Sequence, residues 1–68
     1  MSEKLHNRIG ELRARRDLTQ LALAERIGVS RKTINTVENG VFVPSTILAL
    51  KLARALETPV ESIFALDE

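Results

Sequence analysis

The stretch from Gln20 to Gly40, QLALAERIGVSRKTINTVENG, constrains the fold of this chain more than any other. Leu23, Ala24 and Ile27 recur at helical spacing, Gly28-Val29-Ser30 interrupts the pattern, and Ile34 and Val37 resume it. Gly28 takes a left-handed backbone at no steric cost and so stops the first segment, while the Ser30 hydroxyl can cap the next. Asn39-Gly40 is a helix stop in turn. A three-residue turn containing Gly, with small Ala24 at the closest approach, predicts two short helices at a steep angle. The N-terminal half of the later one then protrudes.

The rest of the chain reads as helix as well, with no period-two alternation of the kind a half-buried strand requires, so the class is all-α with five helices. The first helix is expected over Lys4 to Arg16, with Leu5, Ile9 and Leu12 buried and Arg8, Arg15 and Arg16 outside, and Asp17-Leu18 ends it. Thr19 supplies the N-cap of the second, and Pro44-Ser45 opens a fourth over Thr46 to Leu56. Thr58-Pro59-Val60-Glu61 has the form of a capping box with Pro at the first helical position, starting a short fifth helix that ends near Leu66.

A chain of 68 residues makes one domain, large enough to fold alone but too small for a catalytic cleft beside its core, which argues against an enzyme. With no Cys there is no disulfide framework, and His6 lacks a second His or Cys to complete a metal site, so no cofactor or metal is expected. No apolar run approaches the ~20 residues of a membrane span, and the N-terminus MSEKLHNR lacks the apolar core of a signal peptide; the expected location is the cytoplasm. Phe42 and Phe64 are the only aromatic residues, too few for a single-strand stacking platform. Duplex nucleic acid survives that filter.

The net charge of +1 conceals an asymmetry about Gly40. Up to that point eight Lys and Arg stand against five acids, giving +3; beyond it two stand against four, giving −2. The first half therefore suits a polyanion. Its concentrated feature is the protruding helix, where Arg31, Lys32, Thr33, Asn35 and Thr36 lie outward and Glu38 is the single acid between Arg26 and Glu57. Lys and Arg beside the positive end of a helix dipole are locally unfavourable, so some pressure other than helix stability accounts for them.

At these residues the chain resembles the Cro/C1-type, or XRE, helix-turn-helix regulators. The likeness runs from RIGELRARRDLTQ at Arg8 through LALAERIGVSRKTINTVENG and VPSTILALKLARAL to VESIF, nearly the whole chain, and is greatest to the short stand-alone regulators. The resemblance implies a lambda-repressor-like domain in which Arg31, Lys32, Thr33, Asn35 and Thr36 read base edges. Arg or Lys can pair with guanine O6 and N7, Asn with adenine, and the Thr methyl can meet that of thymine. It further implies that Gln20 binds phosphate with its side chain and the helix terminus, that the backbone N–H groups of the loop at Asn39 and Gly40 touch phosphates, and that Arg13 and Glu38 form an ion pair tying the first helix to the third.

Three departures from the family stand out. Leu21 and Ala22 replace the acids that many relatives have early in the second helix, the loop from Gly40 to Pro44 has no Lys or Arg, and Glu57 stands where Gly commonly closes the fourth helix. The last should strain that terminus by up to ~1 kcal/mol.

The fourth helix carries Ile47, Leu48, Leu50, Leu52 and Leu56 around more of its circumference than one core contact can cover. With Phe42, Val60, Ile63, Phe64 and Leu66 near it in sequence, the expectation is a two-fold homodimer through the C-terminal half. The functional expectation is a homodimeric, sequence-specific regulator of double-stranded DNA, repressing at a palindromic operator. Two alternatives stay open: an antitoxin or restriction-controller protein with an additional protein partner, and a pure protein-interaction module.

Overall fold

Hydrophobic spacing and polar caps together decide where the helices begin and end. The computed structural model describes residues 4–66, so that Glu3, Asp67 and Glu68 of the charge count lie outside the described residues. The order of elements is β1 (Leu5–Asn7), α1 (Ile9–Arg15), α2 (Gln20–Ile27), α3 (Arg31–Glu38), α4 (Thr46–Leu56), α5 (Val60–Ile63) and β2 (Phe64–Leu66). The Thr19, Ser30 and Ser45 side chains accept the backbone N–H of Ala22, Thr33 and Leu48, each capping one otherwise orphaned donor of α2, α3 and α4. Gly28 ends α2 with φ of 78°.

The apolar stripes converge on one core. Ile9 and Leu12 of α1, Leu23, Ala24 and Ile27 of α2, Ile34 and Val37 of α3, Leu48, Leu52 and Leu56 of α4, and Ile63 of α5 are all buried. Each of the larger side chains removed from water contributes roughly 1.5–3 kcal/mol, so this cluster is the main source of stability. The ends of α1 and α4 are strained: Asp17 and Glu57 adopt left-handed backbones, with φ of 53° and 51°. Glu57 thus takes the conformation for which Gly is usual, and Leu18 N–H closes α1 by donating to the Arg13 carbonyl at 3.0 Å.

The five helices appear in the expected order, but the chain ends depart from expectation. Leu5–Asn7 pairs antiparallel with Phe64–Leu66, in the register Leu5 to Leu66, His6 to Ala65 and Asn7 to Phe64. Leu5 therefore belongs to a strand and not to the buried stripe of α1, which starts at Ile9 instead of Lys4. Likewise α5 is a single turn that ends at Ile63, and the chain is extended to Leu66. Pairing wins because each strand supplies the other's backbone partners, whereas the end turns of a helix leave backbone groups without any. The capping box at Thr58 is also absent: its hydroxyl donates to the Leu56 carbonyl at 2.8 Å, and Pro59 precedes α5 without a side-chain cap.

Candidate nucleic-acid interface

The outward face of α3 is built on a locked frame. Arg13 Nε donates to Glu38 Oε2 at 3.0 Å and Nη2 to Oε1 at 2.8 Å, while Nη1 donates to the Leu18 carbonyl at 2.8 Å. With side-chain exposures of 19% and 16%, this bidentate pair is well shielded from solvent, and the Glu38 hydrogen bonds hold the Arg13 guanidinium even more firmly protonated than usual. The acid of α3 is thereby neutralised from inside the fold. That leaves the exposed side chains Arg31 and Lys32, neither of them in an ion pair among the described residues.

Two residues that sequence reasoning missed complete this frame. A Cβ added at Gly10 would come within 2.9 Å of Glu38 Oε1, so the glycine lets α1 approach the ion pair. Asn7 accepts the Ile9 N–H at 3.1 Å and donates to the carbonyls of Val37 and Glu38 at 3.1 and 3.2 Å, fastening the start of α1 to the end of α3. A glycine inside a helical pattern was a legible signal, because it costs about 1 kcal/mol against Ala unless packing requires it. Nothing local marked Asn7, whose partners lie 30 and 31 residues away.

On the outer side, Gln20 begins α2 and lies beside α3. Its Oε1 accepts from Arg31 Nη1 and Asn35 Nδ2, both at 3.4 Å, long enough to be exchanged readily for better partners. Gln20, Arg31 and Asn35 thus form one polar cluster, with Lys32 exposed on the same helix. Thr33 and Thr36 are half-buried and less available: the Thr33 hydroxyl lies 3.0 Å from that of Ser30, and the Thr36 hydroxyl donates to the Thr33 carbonyl at 3.0 Å. Asn39 and Gly40 follow α3, the latter with φ of 75°. Their backbone N–H groups are already engaged, donating to the carbonyls of Asn35 and Val37 at 3.0 and 3.1 Å, so the exposed Asn39 side chain is the freer of their polar groups.

The residues expected at a dimer face divide. Val60 and Phe64 border an apolar groove of about 430 Å³ with Leu5, Pro44, Ala49 and Leu50. Phe42 and Leu66 are 51% and 60% exposed. Ile63, by contrast, is 1% exposed and packs inside the core of the single chain, which corrects its assignment to that face. Its place on the single turn of α5 points it at the core, and sequence spacing over one turn does not reveal that. Among the described residues no group of three or more His, Cys, Asp or Glu could hold a metal ion, and no helix is long and apolar enough to cross a membrane.

The helix-turn-helix family matches residues 9–63, the span from the start of α1 to the end of α5. The chain belongs to the Cro/C1-type, or XRE, regulators. This XRE-family chain is 42% identical over 64 residues to YgzD of Bacillus subtilis, an uncharacterised HTH-type transcriptional regulator, covering 94% of this chain and 97% of that one. It is 52% identical over 61 residues to an HTH-type transcriptional regulator of Methanothermobacter thermautotrophicus, covering 88% of each. Among solved structures it is similar to the restriction-modification controller protein C.AhdI of Aeromonas hydrophila, with 36% identity, a TM-score of 0.76, and coverage of 81% and 83% of the two chains. The XRE-family chain is accordingly a short DNA-binding transcriptional regulator with α2 and α3 as its helix-turn-helix.

Proposed function

We propose that this regulator binds duplex DNA as a homodimer and represses by occupying a palindromic operator in the cytoplasm. The observation that carries the reading is the outer face of α3, where Arg31, Lys32 and Asn35 are presented while Glu38 is held by Arg13. The N-terminal half of α3 enters the major groove, ~12 Å wide, with Arg31 and Lys32 directed to guanine and Asn35 to adenine. Thr33 and Thr36 contribute methyl contacts, since their hydroxyl groups already have partners within the protein. On approach, Gln20 releases its two long hydrogen bonds and takes a phosphate at the start of α2, and the Asn39 side chain takes another beside Gly40. The apolar groove at Val60 and Phe64, together with Phe42 and Leu66, pairs two copies so that their recognition helices meet successive turns of the operator.

Selection of bound fragments from random duplex DNA, followed by titration at increasing salt, tests this. The expected result is a palindromic consensus and affinity that falls steeply with salt, because each phosphate contact releases a condensed counterion. Salt-insensitive binding, or no enriched sequence, would sink it in favour of a protein-interaction module. The likeness to C.AhdI favours a second reading, a restriction-controller role using the same DNA-binding dimer. Self-regulated transcription of an adjoining restriction gene in a reconstituted system would select that reading over simple repression.

A further inference from the structure

We propose that the cationic groove between α2 and α4 docks an acidic amphipathic helix of a partner protein. Arg26 and Ile27 from the end of α2, Lys51, Arg54 and Ala55 from α4, and Glu57 after it frame a groove of about 360 Å³. Alongside, Ile47 and Leu50 form a shallow depression with the same Lys51 and Arg54. Positions 47, 50, 51 and 54 fall on one ~100° stripe of a helix, so the two hollows make a continuous strip along α4. Ile47 is 69% and Leu50 57% exposed.

Charge identifies the occupant. Arg8 and Arg15 share Glu11, and Arg13 has Glu38, but among the described residues Arg26, Lys51 and Arg54 are in no ion pair. Glu57 is the single acid lining the groove, which leaves two positive charges in excess. A nucleic-acid phosphate would match the cations but gains nothing from Ile47 and Leu50 beside them. Leu50 also lines the apolar groove at Val60 and Phe64 assigned above to self-pairing, so the strip borders that face; a second copy centred on Lys51 and Arg54 themselves would set these cations near their own counterparts, a repulsive arrangement. An amphipathic helix whose apolar stripe is flanked by Asp or Glu satisfies both the cations and the apolar residues. This surface is separate from the base-reading face of α3 and does not rest on that assignment.

The test uses a synthetic helical peptide of about 18 residues, with Leu at i, i+3, i+4 and i+7 flanked by Glu, and a control in which every Glu is Gln. Titrated into the full chain, the acidic peptide is expected to shift the amide resonances of Ile27, Ile47, Lys51 and Arg54, and the control to bind at least about tenfold more weakly. Lys51→Gln with Arg54→Gln should weaken the peptide by at least about tenfold, and Ile47→Ser should weaken it as well, with the thermal midpoint and duplex binding preserved. Equal binding of the two peptides, or resonance shifts confined to α3, would overturn the proposal. So would a loss of duplex affinity as large as the loss of peptide affinity, which would make the groove a DNA surface.

Discussion

The two halves of this regulator solve opposite surface problems. Around α3 the polar groups are placed and the acid is removed: Arg13 holds Glu38, Asn7 fastens the end of the helix, and Gln20 accepts from Arg31 and Asn35. Around α4 and β2 apolar groups are left in water, with Ile47 69%, Leu50 57% and Leu66 60% exposed. The first surface suits a polyanion and the second gains only by leaving water, because phosphates exchange counterions whereas apolar area is rewarded only by burial. The modest overall charge of +1 is the sum of +3 up to Gly40 and −2 beyond it.

The sharpest way to break this comparison is to charge the apolar face. Phe64→Asp should give monomers and weaken binding to a full operator by a hundredfold or more, about 3 kcal/mol, with a much smaller effect on a half-site. Because Phe64 is half-buried in the single chain, Leu66→Asp, at an exposed position, separates loss of self-pairing from unfolding. Sedimentation showing a monomer before any substitution would show that the apolar face serves something other than self-pairing.

The frame of the polar face comes next. Arg13→Ala or Glu38→Ala should each destabilise the fold by ~1–3 kcal/mol in urea, more than an exposed pair would, since each leaves a shielded charge without its partner. Stability equal to wild type in both variants would mean that the ion pair is not what fixes α1 against α3.

The polar face is resolved further by separating reading from holding. Asn35→Ala should cost ~1–3 kcal/mol on the preferred site and relax preference at one or two base pairs, because the lost hydrogen bonds belong to particular base edges. Gln20→Ala should weaken preferred and scrambled duplexes by similar factors, as phosphates carry no direct sequence information. Gln20 also accepts from Asn35 at 3.4 Å, so a sequence-dependent loss in Gln20→Ala would instead make it a positioning residue for Asn35.

The smallest effect tests the strained end of α4. Glu57 has φ of 51°, and Glu57→Gly should raise stability by up to ~1 kcal/mol in the same urea assay while leaving duplex binding unchanged. A loss of stability would mean that the flexibility glycine brings to the unfolded chain outweighs the strain it relieves.

Much of this molecule is readable without coordinates, since apolar spacing and caps are local signals. Leu23, Ala24, Ile27, Gly28, Ser30, Ile34 and Val37 lie within one short stretch, and their spacing is enough to predict α2, the turn and α3. The outward cations of α3 are legible for the same reason. What tertiary structure decided are relations between distant residues. The pairing of Leu5–Asn7 with Phe64–Leu66 spans nearly the whole chain, and three residues are too few for a period of two to show. Gly10 reads as an unexplained weak point in a helix until Glu38 Oε1 is found 2.9 Å from where its Cβ would stand. Ile63 looks like one more apolar residue near the C-terminus until α5 turns it into the core. Local chemistry determines where a helix can begin and end, but which of its faces is covered, and by what, depends on packing that no single stretch of sequence contains.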